Sequence, residues 1–218
     1  MHIERPVAPK IANALLDLAL ISLHNTAFTM KINFCFTISL LFVSSICWPP
    51  ANAQNADGGP FDLVFEFQAY PTGLIPGLRF EKGFANKNAL HLRAGYNWIR
   101  HGDAARHGDE RGNGFGFTLG YKRYARPGFK GLFGGVRNDL WWNKINWKDG
   151  QGSNETSGTT DILVVQPTVE AGWLLSLGPK ITVSPSLAFG YEINVKTDGE
   201  PTGEGAIFLV GLGAGLRF

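Results

Sequence analysis

The chain has 218 residues, a formal net charge of +2, 28 glycines, two cysteines, and six tryptophans, five tyrosines and sixteen phenylalanines. A balance this close to neutral, without a basic stripe, excludes a nucleic-acid-binding surface. Both cysteines, Cys35 and Cys47, precede residue 53 and no later segment has 18 consecutive apolar residues, so the remainder has neither disulfide staples nor a membrane-spanning helix.

Residues 1–29 carry two acids, Glu4 and Asp17, and lead to no cleavage site, so they read as an upstream extension outside the translated protein. Translation then starts at Met30. Lys31, the apolar run 32–46 and the triplet Ala51-Asn52-Ala53 make residues 30–53 a secretory signal peptide. Ile46 stands before Cys47, where lipidation requires a small residue. Cleavage after Ala53 leaves 165 residues that hold all 28 glycines, about 17 % against a usual ~7 %. Aromatic residues spread along this whole stretch argue against disorder. Residues 54–60 form a short lead-in.

From residue 61 onward the chain alternates with period two, the pattern of strands with one apolar face. Residues 61–70 set Phe61, Leu63, Phe65, Phe67 and Ala69 against Asp62, Glu66 and Gln68. Residues 76–84 set Leu78 and Phe80 against Arg79 and Glu81, and residues 89–100 set Leu90, Leu92, Ala94, Tyr96 and Trp98 against His91, Arg93, Gly95 and Asn97. Residues 114–124 set Phe115, Phe117, Leu119 and Tyr121 against Gly116, Thr118, Gly120 and Lys122. Residues 130–147 place Leu132, Val136, Leu140 and Trp142 opposite Arg137 and Asp139. Residues 161–175 set Val165, Val169, Ala171 and Trp173 against Gln166, Thr168, Glu170 and Gly172. Residues 180–196 set Ile181, Val183, Leu187, Phe189, Tyr191 and Ile193 against Thr182, Ser184, Ser186, Gly190, Glu192 and Asn194. Residues 205–218 pair an apolar face with one of Gly211, Gly213, Gly215 and Arg217, headed by Ile207 and Leu209, which suits a crowded, narrow interior.

Eight strands result, several longer than the 5–6 residues common in soluble sheets. Connections at 84–88, 125–129 and 177–179 are short, those at 101–113, 148–160 and 197–204 are long and polar, and 71–75 breaks the alternation. Short turns on one side and long loops on the other are the arrangement of an outer-membrane barrel. Pro167 and Pro185 fall inside strands, where a missing donor breaks the ladder, and bulges are expected at both.

The last segment, alternating apolar residues ending in the aromatic Phe218, resembles the terminal strand of bacterial outer-membrane proteins. Over residues 61–218 the chain is similar to the small eight-stranded barrels of the OmpX and OmpA-transmembrane group. The resemblance implies an all-β, up-and-down antiparallel transmembrane barrel in the outer membrane of a Gram-negative bacterium, with both termini periplasmic. It also implies that Phe218 serves as the assembly signal read by the barrel-assembly machinery. The surroundings are then outer-membrane lipid and lipopolysaccharide, and the barrel is expected to be a monomer.

The inward parity collects Asp62, Glu66, Glu81, Asp139, Glu170 and Glu192 against Arg79, Arg93, Lys122, Arg137 and Arg217. An eight-stranded barrel is just wide enough for its own side chains, so these charges read as a structural plug of ion pairs, Arg93 pairing with Glu66 or Glu81. A gated polar channel is the alternative. The loop with His101, Asp103, His107 and Asp109 repeats a His-Gly-Asp triplet, a weak candidate for a divalent ion; a mobile surface loop is the plainer reading, and no cofactor is expected. Trp98, Trp141, Trp142 and Trp147 cluster beside the long loops as an aromatic girdle or a loop platform for a carbohydrate or protein. A lipid A deacylase of this size carries histidine and serine two residues apart, but here His91-Leu92-Arg93 lacks the nucleophile. The expected role is therefore a non-enzymatic structural or surface-interaction one in the envelope, with a narrow pore second and a lipid A-modifying enzyme third.

Overall fold

The computed structural model describes residues 59–84, 86–101, 108–150 and 155–218; the expected signal peptide (30–53), the upstream extension (1–29) and residues 54–58 of the lead-in lie outside them. Eight strands follow in order: β1 (Phe61–Tyr70), β2 (Gly73–Phe84), β3 (Asn88–His101), β4 (Asp109–Arg126), β5 (Lys130–Asp149), β6 (Thr156–Leu177), β7 (Ile181–Asp198) and β8 (Gly205–Arg217). Each pairs antiparallel with the next, and β1 closes on β8 from Asp62↔Arg217 to Ala69↔Val210. Closure leaves no edge strand, the one way a sheet can stand in lipid with every backbone group paired.

The alternation decides which way the sheet faces. Leu92, Leu119, Phe189 and Leu212 are each more than half exposed on the outer surface, while Glu66, Arg93, Lys122 and Asp139 are buried inside. Apolar belts of this extent do not face water in soluble monomers. This is an inside-out protein, and the belt is its lipid-facing surface.

The strands run further than the sequence suggested, at the expense of the loops. Residues 71–72 form a tight turn and β2 begins at Gly73, so the expected connection at 71–75 shrinks to two residues. β4 begins at Asp109 rather than near residue 114, and β5 and β6 pair without interruption from Gly131↔Leu174 to Asp149↔Thr156. The expected loop 148–160 is therefore mostly a hairpin. Polar residues rise in register on both of its strands, and cross-strand pairs such as Lys144 with Asp161 (3.6 Å) hold them together beyond the apolar belt.

The two prolines produce no bulge. Pro167 stays paired with Asn138 on β5, and Pro185 stays paired with Leu212 on β8. Each removes a rung from the β6–β7 ladder, where the register is the same above and below the gap. The extra residue of that seam is Val195, between Leu163↔Lys196 and Val164↔Asn194, and a second irregularity lies between Tyr124 and Arg126 on β4. A missing donor costs one hydrogen bond but does not require an inserted residue.

Candidate functional site

The lumen is the chemically distinctive part of the molecule, and it is layered. Its middle is a charged layer supplied by strands whose inward residues alternate with the lipid-facing belt. Glu66 on β1 sits at the hub, contacted by Arg79 Nη1, by Arg93 Nε at 3.3 Å and by Arg137 Nη1 at 3.8 Å, and it also accepts a hydrogen bond from Gln68 Nε2 at 2.7 Å. Glu81 receives Lys122 Nζ at 3.1 Å, Arg79 Nε at 3.5 Å and the Tyr124 hydroxyl. Asp139 pairs with Arg137 Nε at 3.3 Å and accepts from Thr118 Oγ1, while Glu170 lies 3.8 Å from Lys122. Near the short turns, Arg217 grips Asp62 through two hydrogen bonds of 2.7 Å each.

Five acids thus meet five bases along the lumen, four of each in the buried middle and Asp62 with Arg217 beside the short turns, because an unpaired buried charge is costly. The sixth predicted acid, Glu192, does not belong to this layer. It sits half-buried near the loop-end mouth, with Tyr70 and Glu204 as its electrostatic neighbours. Of the two partners expected for Arg93, the structure selects Glu66; Glu81 is taken by Arg79 and Lys122.

Above and below the charged layer the lumen turns apolar. Toward the long loops, Ile75, Ile99, Trp141, Ile145, Ile162, Val164, Ala188, Ile207 and Leu209 pack into one buried cluster. Toward the short turns, Ala89, Tyr124, Phe129, Phe133 and Leu174 form another. Each cap is tied to the charged layer by a cation over a ring. The Arg93 guanidinium lies 6.0 Å from the Trp141 ring centroid, and Lys122 Nζ lies 4.6 Å from that of Phe133.

Two of the four predicted girdle tryptophans are therefore misplaced. Trp98 and Trp142 do face outward, at 52 % and 40 % exposure, but Trp141 is 1 % exposed inside the lumen. Trp147 shares that inward parity and donates from Nε1 to the buried Thr160 hydroxyl at 3.2 Å. The signal was available, because Trp141 is in phase with Arg137 and Asp139. Gly116 makes the room: a β-carbon there would meet the Trp141 ring at 2.3 Å. On the outer side, Phe115 stacks on Trp142 at 5.3 Å and Tyr96 meets Trp98 edge-on at 5.6 Å, so the girdle that does form draws on β3, β4 and β5.

The lower cap contains a residue that periodicity could not reveal. Phe129 belongs to the β4–β5 turn, yet it is 3 % exposed and packs edge-on against Tyr124 at 5.3 Å. Its backbone lies in the left-handed region (φ 56°), which costs a non-glycine residue ~1–2 kcal/mol and persists here because the ring is buried. Arg217 donates to the carbonyls of Gly128 (3.3 Å) and Phe129 (3.3 Å) while holding Asp62, so the last strand clamps the turn that plugs the barrel. Gly83 opposite leaves the space that the Phe129 ring fills.

His91 is another buried lumen residue outside the predicted network, as are Gln68, Thr118 and Glu110. It is 2 % exposed, lies against Gly120, and has Lys122, Arg79, Arg137 and Arg93 as its charged surroundings. Ser184, on the inward face of β7, accepts a hydrogen bond from Arg79 Nη2 at 3.3 Å and so belongs to the charged layer. Asp103, His107 and the side chain of His101 lie outside the described residues; Asp109 is ion-paired with Arg111 at 2.9 Å. Among the described residues no group of three or more histidine, cysteine or acidic side chains is placed to hold a metal ion. Phe218 lies on the outer surface, and its ring meets that of Phe61 at 6.1 Å.

No protein-family model and no curated protein matches the chain. Among solved structures it is similar to the N-terminal β-barrel domain of Pseudomonas aeruginosa OprF, at 15 % identity and a TM-score of 0.45, over 74 % of this chain and 100 % of that one. It is also similar to Ail, the attachment invasion locus protein of Yersinia pestis, in complex with the heparin analogue sucrose octasulfate (12 % identity, TM-score 0.45, 74 % and 99 % covered). A third is Neisserial surface protein A (10 %, 0.37, 72 % and 93 %). By its own geometry, with a closed ladder of eight strands, a polar lumen and an apolar outer belt, the chain is an eight-stranded transmembrane β-barrel.

Proposed function

We propose that the protein is a closed outer-membrane barrel with a non-enzymatic, structural or surface-interaction role, presenting the β5–β6 hairpin outside the cell. In this reading its termini are periplasmic, lipopolysaccharide surrounds its loop end, the barrel-assembly machinery reads Phe218, and it acts as a monomer. The observation that carries it is the double seal of the lumen. A water path must cross the Trp141 cap, five acids neutralised by five bases, and the Phe133 cap, and each of these layers is filled by side chains. A narrow pore would need both apolar caps opened.

With its interior filled, the barrel's accessible features are its ends. Beyond Trp142, residues 143–149 of β5 add roughly 23 Å of strand, and β6 rises beside them. The rise is laced by Lys144–Asp161 and Lys148–Glu155 (2.9 Å). A rigid strand extension above the belt, in which β5 is paired with β4 up to Asp109↔Lys148 as well as with β6, suits contact with another surface better than catalysis, which needs an enclosed and preorganised site.

The test compares cells lacking the gene, cells with the wild-type protein, and cells in which residues 146–159 are replaced by a two-residue turn between the paired Ile145 and Thr160. Folding of the trimmed barrel is checked by the faster migration of unboiled protein in detergent gels. The proposal expects wild-type cells to differ from gene-less cells in attachment to one another and to solid surfaces, and the trimmed strain to behave like the gene-less one. Identical attachment in all three, together with a change in lipid A mass that depends on the gene, would overturn it in favour of a lipid A-modifying enzyme.

A further inference from the structure

Charges outside the lumen are distributed very unevenly between the two ends of the barrel. At the loop end, bases and acids interleave and pair: Arg111 with Asp109 (2.9 Å), Lys144 with Asp161 (3.6 Å) and Lys148 with Glu155 (2.9 Å). At the turn end stand Lys82, Lys87, Arg123, Arg126, Lys130 and Lys180, exposed or half-buried, with no acidic side chain beside them among the described residues. The acids nearest in sequence, Asp62 and Glu81, point into the lumen and are consumed there by Arg217, Arg79 and Lys122.

Among the described residues, the partners these bases do have are neutral. Lys82 Nζ donates to the Gly59 carbonyl at 2.8 Å, and Arg123 Nη1 donates to Asn88 Oδ1 at 3.4 Å. Arg126 and Lys130 stand directly opposite each other in the β4–β5 register, an arrangement that repels unless an anion lies nearby. Five of the six form a continuous arc over neighbouring hairpins, since the Asn88↔Arg123 pair joins the β2–β3 turn to β4.

Their height on the barrel identifies the anion. Lys82 lies between the outward Phe80 and Phe84, Arg123 follows the outward Tyr121, Lys130 precedes Leu132 and Lys180 precedes Ile181. These four bases thus lie one or two residues from side chains of the apolar belt, the depth at which lipid headgroups sit, and Lys87 and Arg126 stand beyond them in the turns. Long basic side chains there lay their stems on apolar surface and extend their charges to the phosphates. We infer that the short-turn end carries a collar that selects anionic phospholipid headgroups in the leaflet it contacts. This goes beyond the proposed envelope role and rests only on the barrel standing in a bilayer.

The test reconstitutes the folded protein in phosphatidylcholine bilayers and measures, by electron spin resonance, the fraction of spin-labelled lipid immobilised on its surface. Spin-labelled phosphatidylglycerol should be held severalfold more strongly than spin-labelled phosphatidylcholine, and the difference should shrink as salt is raised past ~0.5 M, where the screening length falls to a few ångströms. The combined substitution Lys82→Gln, Arg123→Gln, Arg126→Gln and Lys130→Gln should abolish the preference, whereas Arg100→Gln with Lys144→Gln at the loop end should leave it intact. If the fourfold variant does not fold, Arg126→Gln with Lys130→Gln alone should still weaken the preference measurably. Equal retention of the two lipids by the wild type would overturn the collar. So would a preference that survives the turn-end substitutions, or one lost only in the loop-end pair.

Discussion

The two apolar caps of the lumen do the same job by different means. The cap near the loops is built wholly from strand residues, mostly branched aliphatics around Trp141, drawn from six of the eight strands. The cap near the turns is smaller and aromatic, and one of its members, Phe129, is swung in from a turn on a left-handed backbone. Strand residues are held by ladder hydrogen bonds on both sides. A turn residue is held by its own packing and, here, by Arg217. The upper seal is therefore a property of the barrel itself, while the lower seal hangs on one turn and one clamp, and it is the place where the closed lumen should open first.

The charged layer between the caps sets the upper bound on any perturbation. Replacing Glu66 with Ala should be the most damaging single change, because it leaves Arg79, Arg93 and Arg137 facing one another without their shared acid. A loss of about 3–5 kcal/mol is expected in denaturant unfolding from lipid bilayers. Trp141→Ala empties the centre of the upper cap and should cost about 3–5 kcal/mol in the same assay. Phe129→Ala should cost less, about 2–3 kcal/mol, because the cavity penalty is partly offset by the conformation becoming easier for the unburied turn. If Phe129→Ala proved as costly as Trp141→Ala, the asymmetry between the caps would be wrong. Smallest of the four, Arg93→Leu should cost about 1–2 kcal/mol. Glu66 keeps Arg79 and Arg137, so no acid is left without a partner, and what is lost is the 3.3 Å pair with Glu66, the hydrogen bond to the Ile75 carbonyl and the contact with Trp141. A larger loss would mean that Arg93, rather than Glu66, is the hub.

Much of this was legible in the residues, for identifiable reasons. Period-two alternation fixes the face of every strand residue, so the ten paired charges of the lumen could be named from sequence, and so could the glycines that make β8 fit a narrow interior. The same parity placed Trp141 inside; grouping it with its tryptophan neighbours as a girdle ignored the phase that had assigned Arg137 and Asp139. Glu192 shares the inward parity too, but parity carries no information on height, and it lies near the mouth, away from the bases. Strand ends differ because residues 109–113 and 156–160 are polar on both faces, which reads as loop in the sequence but continues β4 and β6 in the structure, with Glu110 and Thr160 buried on the inner face. The Phe129 plug has no periodic signature at all, since its position depends on a turn conformation and on Arg217 nearly ninety residues later in the chain.

The central claim is that the folded barrel is shut, and conductance across a planar lipid bilayer tests it most directly. The wild-type protein should insert without steady current steps, whereas the double variant Phe129→Ala with Trp141→Ala, stripped of the key ring of each cap, should conduct. Reproducible steps from the wild type, of the same size before and after those substitutions, would contradict the sealed lumen and leave a pore that runs past both caps.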